Sequence, residues 1–596
     1  MHSQLQQWNG RALQAINQRW LLIAFVAAYC ALSLFRLGYC DLESDEGRFG
    51  LSAVNIVTDY HQLARVSEDP LGGPGTKPFM YPLSLVPFIS VLGHNEFALR
   101  AFSVIAILLA TFFIAAAVRL LAKDRELAAV VFAVMLLNPA SISYARTAMP
   151  EPAVLLWGAA AFYFATKLYF AEKRVLGLAA LTGILLGCGY LSKLWLILPF
   201  GLACAVLFIG RFMMRRDGES AFAALLAFAV FAATASLHLA AVFLLTPGEA
   251  AYWMNMYLGT TLKERVKGGG FDVAMWFRPW WFYFGAIFKV FFYVLPLMIV
   301  GLFELVRRRS YLLVAIVLSF LAHILLLSAF QVKEAAYVYP AYPGLVLCVA
   351  FGWRRVLREG NRRWLAAAAV FSVVLAAFFF RNGVLPLPEF AAIAFLFSGY
   401  VLWALLPILR VPSAMRFATA ALVAAMILVA MVAVTRSLDH RTYYREIGNY
   451  FSGVAHSKQP QDVVFVAPEY PAMEFYLYRS GQYWQTAVFT QTDSAFSDQL
   501  LNGAYLFYVV DPSAKLYGSS ISAAKSQMLK AYTREVTKEV ARSAGHEIPL
   551  KIFVGDEEHL REAQFRGTAM PESHAPARLQ PIGSRQGAES GPGLVK

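Results

Sequence analysis

Between residues 41 and 49 the chain reads Asp41-Leu42-Glu43-Ser44-Asp45-Glu46-Gly47-Arg48-Phe49, with four carboxylates inside six positions. The stretch follows directly on an apolar run, 21–37, long enough to cross the core of a bilayer. Ser44 is placed to cap a helix whose first turn carries Asp45 and Glu46, where negative charge suits the positive end of the helix dipole. On such a helix Asp45 and Arg48, three apart, share a face. A carboxylate beside a cation at a membrane surface can take a proton from a hydroxyl or orient it. An interfacial capped helix with solvated charges would read the same way on its own.

Other polar features lie in loops on the same side of the apolar runs. Tyr144-Ala145-Arg146-Thr147-Ala148-Met149-Pro150-Glu151-Pro152 puts a carboxylate at the mouth of a span, between two prolines. Lys193 stands in the tight turn after Gly187-Cys188-Gly189-Tyr190-Leu191-Ser192, and Lys263, Arg265 and Lys267 form a basic cluster ahead of Arg278-Pro279-Trp280-Trp281-Phe282-Tyr283. Lys333 and Glu334 precede Tyr337-Val338-Tyr339-Pro340. One lysine at a helix end is ordinarily a snorkelling anchor, and an aromatic run ordinarily an interface belt. Several cations and more than one carboxylate converging on one side instead fit an anionic phosphate ligand next to a group awaiting deprotonation. A divalent metal on Asp45, Glu46 or Glu151 would suit carboxylate oxygens, but no dedicated ligand set stands out.

The elements that must position these residues are membrane spans. Of 596 residues, 59% are hydrophobic and 15% charged, and the mean hydropathy is +0.54. Such a chain is a polytopic α-helical membrane protein. Its net charge of +14 sits in short loops between apolar runs, which points to the cytoplasmic side and not to nucleic acid. The five cysteines are scattered and suggest no bridge or metal site. The first run lacks a small-residue cleavage site and reads as a retained helix.

Spans are expected at 98–121, 127–144, 151–170, 176–191, 194–210, 220–246, 282–304, 311–330, 337–353, 364–380, 388–409 and 415–435, about thirteen with the first. The loop 38–97 carries the acidic stretch, the Gly/Pro-rich turn 71–76 and Lys77-Pro78; within it, 79–92 is apolar but short and proline-broken, an interfacial or re-entrant piece. Basic loops at 123–125, 173–174, 211–216, 307–309, 354–363 and 410–416 all fall on one side, read as cytoplasmic, so the acidic loop faces out. The membrane part ends near 436. Residues 437–567 read as a soluble α/β domain on the outer side, with strands at 462–467, 504–510 and 550–554, a helix around 471–479 and a charged helix over 525–542. Residues 568–596, rich in Pro, Gly, Ser and Arg, read as a disordered tail.

Asp45-Glu46-x-Arg48, Lys77-Pro78, Glu96-x-x-x-Arg100-x-x-Ser103, Glu151-Pro152, Gly189-x-x-Ser192-Lys193, and Lys333 before Tyr337-x-x-Pro340 follow one another in an order that resembles the GT-C glycosyltransferases. Within them it resembles the lipid A aminoarabinose transferases and the protein O-mannosyltransferases. The resemblance covers the whole membrane part, and it implies a bacterial inner-membrane enzyme with its site on the periplasmic side. Such an enzyme moves a monosaccharide from a polyprenyl (undecaprenyl) phosphate donor to lipid A, another envelope glycolipid or glycan, or a protein. By position it makes Asp45 the catalytic base or acceptor-orienting group, with Glu46 beside it and Glu151 where the family carries a second acid, usually Asp. Arg48, Lys77 and Arg265 match cations near the donor phosphate, and Lys193 and Lys333 match lysines at the mouth of the cavity; the resemblance makes all five donor phosphate-binding. No metal or other cofactor is implied firmly. An anionic-lipid transporter or flippase is the rival class. It would place ionisable residues at the midplane of broken helices and repeat its halves, whereas here the charges sit in loops at one face.

Overall fold

A computed structural model describes residues 20–58, 78–245, 282–308, 310–328, 335–357, 363–381 and 444–455, apart from a few single positions, and short pieces of the region 463–555. The chain divides into two compact units, Met1–Thr442 and Tyr443–Lys596.

Among the described residues of the first unit, nine helical segments are long and apolar enough to cross a membrane: Glu96–Ala122, Glu151–Phe170, Val175–Ser192, Leu194–Arg215, Gly218–Leu245, Phe282–Arg307, Tyr311–Ser328, Ala335–Val356 and Trp364–Arg381. They coincide with expected spans. The two expected at 388–409 and 415–435 lie outside the described residues.

Polar residues at their ends set where these helices stop. Glu96–Ala122 opens on Asn95, whose side chain accepts from Ala98 N at 2.9 Å, and closes on Lys123 in the left-handed region. Asp124 follows at once and caps Arg125–Leu136 by accepting from Glu126 N and Leu127 N, so two residues reverse the chain. Arg216, with φ of 49°, and Asp217, which accepts from Ser220 N, do the same before Gly218–Ala235. Small residues let helices approach closely. A Cβ on Gly301 would lie 1.7 Å from the Cys348 carbonyl, and one on Gly352 would lie 1.8 Å from that of Leu297, so these two helices touch backbone to backbone.

The run expected to cross as one span over 127–144 is broken. Arg125–Leu136 and Pro139–Ala145 meet at 55°. Pro139 has no N–H to continue the ladder, and the Asn138 side chain accepts from Ala140 N at 2.9 Å and starts a new helix instead. In the first apolar run the described helix Leu22–Leu34 gives way to a turn in which Arg36 has φ of 50°. The piece 79–92 is the helix Met80–Leu92 of 13 residues, roughly 20 Å long and too short to cross.

The second unit holds a five-stranded sheet of β1 (Val463–Ala467), β2 (Gln485–Val488), β3 (Tyr505–Val510), β4 (Arg534–Glu535) and β5 (Lys551–Gly555), in the order β2-β1-β3-β5-β4. β1 is parallel to both β2 and β3, and β5 runs antiparallel to β3 and β4. Of the helix expected over 525–542, residues 525–533 lie outside the described residues; Arg534–Glu535 is an edge strand, which corrects the expectation there, and the helix is Thr537–Ala544. Val536 N donates to Ile552 O at 2.8 Å and Ile552 N donates to the Thr537 hydroxyl at 3.0 Å, which pins this stretch to β5. Of 471–479 only Phe475 and Tyr476 are described, and the tail 568–596 lies outside the described residues.

Candidate active site

The acidic stretch becomes the helix Ser44–Thr58. Asp45 is its second residue and Glu46 its third. Glu46 is 1% exposed and fully engaged. Arg100, on the helix Glu96–Ala122, donates through Nη2 to Oε2 at 2.8 Å and through Nε to Oε1 at 3.1 Å. Ala148 N donates to the same Oε1 at 2.5 Å. Arg100 Nη1 also donates to the carbonyls of Leu37 and Cys40 at 3.1 and 2.8 Å. One buried ion pair thereby joins the turn after the first helix, the start of the Asp45 helix and the turn leading to Glu151. With a guanidinium on both oxygens, Glu46 is built as an anchor.

Arg146 plays the matching part next door. Its Nη1 donates to the carbonyls of Phe35, Ser33 and Leu32 at 2.7, 3.1 and 3.3 Å. These are C-terminal carbonyls that the helix cannot satisfy itself.

Glu151, fully buried, opens the helix Glu151–Phe170 and pairs with Lys193 at 2.6 Å. Lys193, a quarter exposed, closes Val175–Ser192 and places its ammonium 5.0 Å from the centroid of the Tyr337 ring. That is cation–π distance. Tyr337 is held in turn by His323, whose Nε2 lies 3.1 Å from the Tyr337 carbonyl; a carbonyl only accepts, so Nε2 carries the proton. Tyr81, on Met80–Leu92, completes this end of the bundle. It packs edge-on against Phe49 at 4.9 Å and tilted against Phe102 at 6.0 Å, and its phenol feels the carboxylates of both Glu46 and Glu151.

The opposite end is built differently. There Arg354 pairs with Asp124 at 3.0 Å, Arg307 and Arg355 reach the buried Glu304 at 3.3 and 3.4 Å, and Arg211 donates to the carbonyls of Leu168 and Ala171, each at 2.7 Å. Apart from Arg307 with Glu304, which share one helix, these are contacts between neighbouring helix ends.

Of the residues singled out in the sequence, Glu46, Glu151 and Lys193 meet at one end of the bundle with Asp45 in the adjoining turn of helix. Arg48 is half-buried one turn further along that helix. The side chain of Asp45 and the residues Lys77, Arg265 and Lys333 lie outside the described residues. Four members of the site were not assigned roles from the sequence: Arg100, Arg146, His323 and Tyr81. The first three carried a signal, an ionisable residue in or beside an apolar run. Tyr81 carried none, being one more aromatic next to proline. Among the described residues no three His, Cys, Asp or Glu side chains group to hold a metal ion. Glu46 and Glu151 each face a cation, Arg100 and Lys193.

This architecture is the GT-C fold. The structure is similar to that of ArnT from Cupriavidus metallidurans bound to undecaprenyl phosphate, with a TM-score of 0.61 and 16% identity, covering 91% of this chain and 98% of that one. It is similar too to ArnT from the same organism in the apo state, with a TM-score of 0.58 and 14% identity, covering 91% of this chain and 99% of that one. The family model of dolichyl-phosphate-mannose-protein mannosyltransferases matches residues 77–254, and that of the Alg9-like mannosyltransferases matches residues 277–385. No curated protein matches the chain. The protein is a multi-pass membrane glycosyltransferase with the GT-C fold.

Proposed function

We propose that this enzyme transfers a monosaccharide from undecaprenyl phosphate to an acceptor on the outer face of the bacterial inner membrane, with lipid A or a related envelope glycolipid as the acceptor. The observation that carries the reading is the pairing of two buried carboxylates, Glu46 with Arg100 and Glu151 with Lys193, at the end of the bundle where the Asp45 helix begins. The similar protein ArnT binds undecaprenyl phosphate, and the matching family model is of enzymes named for dolichyl-phosphate mannose; both are long polyisoprenoid phosphates.

The reaction is a single displacement. The acceptor oxygen bonds to the anomeric carbon, the bond from that carbon to the phosphate oxygen breaks, and its electron pair leaves on the lipid phosphate. The acceptor proton passes to the Asp45 carboxylate. Arg48, Lys77, Arg265 and Lys333 supply the cations that meet the phosphate as its charge grows. Glu46 holds the Asp45 turn in place, and Glu151 and Lys193 set the polarity beside it.

A second acceptor, a protein serine or threonine, is favoured by the mannosyltransferase family model over residues 77–254. Reconstitution in liposomes with undecaprenyl-phosphate mannose, lipid A and a Ser/Thr-rich peptide separates the two by the mass gained on each acceptor. Transfer from a nucleotide sugar alone overturns the donor assignment. Movement of labelled lipid across the bilayer with no transfer makes the protein a transporter.

A further inference from the structure

At the bundle end opposite Glu46 and Glu151, the helix Leu295–Arg307 packs against Tyr342–Leu357 and Arg363–Arg381. Residues 304–309 and 354–363 together hold eight arginines, two glutamates and no lysine. Positive charge of either kind would orient a membrane protein, so arginine at every basic position calls for a further reason. A guanidinium presents a planar fork of N–H groups that meets a phosphate with two hydrogen bonds, whereas an ammonium meets it as a point charge.

The side chains gather this charge at the surface. Arg307, Arg308 and Arg355 each bring Nε to the Glu304 carboxylate, at 3.3, 2.5 and 3.4 Å. One negative charge cannot neutralise three guanidiniums. The Glu304 side chain is 3% exposed, while that of Arg307 is 64% and that of Arg308 30% exposed, so the surplus sits on the outside. Beside it lies an apolar step that is equally open. Phe303 and Trp364, from two different helices, stack at 6.1 Å with their rings 28° apart, yet stay 62% and 55% exposed. Phe303 is four residues before Arg307, on the same face of the helix and one turn, roughly 5 Å, further from its end. Trp364 is the second residue of Arg363–Arg381. An exposed guanidinium therefore gives way to an exposed aromatic pair at the depth where headgroups meet hydrocarbon.

The occupant of such a seam needs acceptor oxygens with negative charge for the arginines and a long apolar part for the rings. Free phosphate has nothing to lay on Phe303 and Trp364. A zwitterionic phospholipid brings a cation of its own against the arginines. A phospholipid with net negative charge satisfies both halves, and basic clefts between membrane helices bind headgroups of this kind. We propose that the ends of Leu295–Arg307 and Arg363–Arg381 form a seat for one anionic phospholipid of the leaflet at this end of the bundle. Its phosphate lies on Arg307 and Arg308, and an acyl chain runs over Phe303 and Trp364.

Native mass spectrometry of the full-length protein, released from detergent containing equal amounts of phosphatidylglycerol and phosphatidylcholine, tests the seat. One phosphatidylglycerol should stay bound per chain, and phosphatidylcholine should be held about tenfold less well. Arg307→Gln removes an exposed guanidinium and leaves Arg308 and Arg355 on Glu304; it should weaken retention about tenfold. Trp364→Ala removes the ring and should weaken retention too, and it decides the matter where Arg307→Gln fails to fold. Arg215→Gln with Arg216→Gln takes two cations from another helix end and should leave retention unchanged, which a general attraction of basic loops for anionic lipid would not allow. Excess inorganic phosphate should not displace the lipid. Equal retention of phosphatidylcholine, wild-type retention in either the Arg307 or the Trp364 variant, an equal loss in the Arg215 and Arg216 variant, or release by inorganic phosphate each overturns the seat.

Discussion

Arg100 meets both carboxylate oxygens of Glu46, at 2.8 and 3.1 Å, with the two side chains 5% and 1% exposed. The partners are 54 residues apart, and the same guanidinium also satisfies the carbonyls of Leu37 and Cys40. A buried pair of this kind is held together by what either partner would suffer alone. Each charge has left water, and its cost is offset only while the other is present.

Removing Arg100 should therefore be severe. Arg100→Met strands the Glu46 carboxylate and two carbonyls, at a cost of about 3–5 kcal/mol. It should lower the melting temperature in detergent by several degrees and abolish transfer. Glu46→Gln keeps an oxygen acceptor for Ala148 and Arg100 and should be milder in both respects. Thermal unfolding followed by tryptophan fluorescence checks this. A wild-type melting temperature for Arg100→Met would remove the pair from its anchoring role.

Asp45 is the neighbour of that anchor and the proposed acceptor of the acceptor's proton. Asp45→Asn changes basicity and little else, because the start of the helix is held by Glu46. Transfer should fall by a factor of about 10²–10⁴, the usual worth of a positioned general base, while the melting temperature holds. Near-normal turnover would mean that Asp45 neither takes the proton nor orients the acceptor.

What the sequence disclosed and what it withheld follow from the range of the interactions. Apolar runs near twenty residues long report their own helices, because a backbone in hydrocarbon has to satisfy itself locally. So the span Glu96–Ala122 and the edges of Glu151–Phe170 were legible. The pairing of Glu46 with Arg100, or of Glu151 with Lys193, was not, since nothing local says which acid meets which base. The break at Asn138-Pro139 was hidden because both halves are apolar enough to pass as one span, and only the capping chemistry of Asn138 gives it away. Arg534 and Glu535 read as helix because charged residues in a helical pattern outweigh a two-residue edge strand, where charge is also at home.

Lys193 and Glu151 should behave as a unit, with His323 behind them. Lys193→Met leaves a fully buried carboxylate uncompensated and should destabilise the protein. Adding Glu151→Gln should restore part of the loss, giving a coupling of about 0.5–3 kcal/mol in a double-mutant cycle. His323→Gln retains a donor for the Tyr337 carbonyl and His323→Leu does not, so the Leu variant should show the higher donor KM of the two. Additive effects of the Lys193 and Glu151 substitutions would separate the residues.

In the second unit, Glu539 accepts from the Tyr450 hydroxyl at 2.9 Å and from Arg534 Nη1 at 2.5 Å. These two hydrogen bonds hold its carboxyl below the ordinary value of 4.5. Burial, with Glu539 as its acceptor, raises the Tyr450 phenol from 10.0 to about 12. A depressed carboxylate stabilises the folded state above its unfolded pKa, and the gain is lost as pH falls through the lower folded value. A raised phenol stabilises below its unfolded pKa, and that gain is lost as pH rises toward the folded one. The contact should therefore be strongest between about pH 5 and pH 10. Thermal unfolding of the wild type and Glu539→Gln across pH checks it: their difference should be greatest inside that window and shrink on both sides. A difference that does not vary with pH would mean that the contact adds nothing to stability.

Sidedness is the remaining expectation with a direct test. Among the described residues, Lys123, Arg125, Arg215, Arg307, Arg308, Arg354 and Arg355 lie at the bundle end opposite Glu46 and Glu151. Arginines and lysines in short loops stay in the cytoplasm, so the acidic end is expected outside. The expected odd number of spans then carries Tyr444–Ala455 outside as well. Alkaline phosphatase, active only after export, should be active when fused after Gly448 and inactive when fused after Arg216. An inactive Gly448 fusion on a stably expressed chain would invert the layout, and with it the side on which Asp45 meets its acceptor.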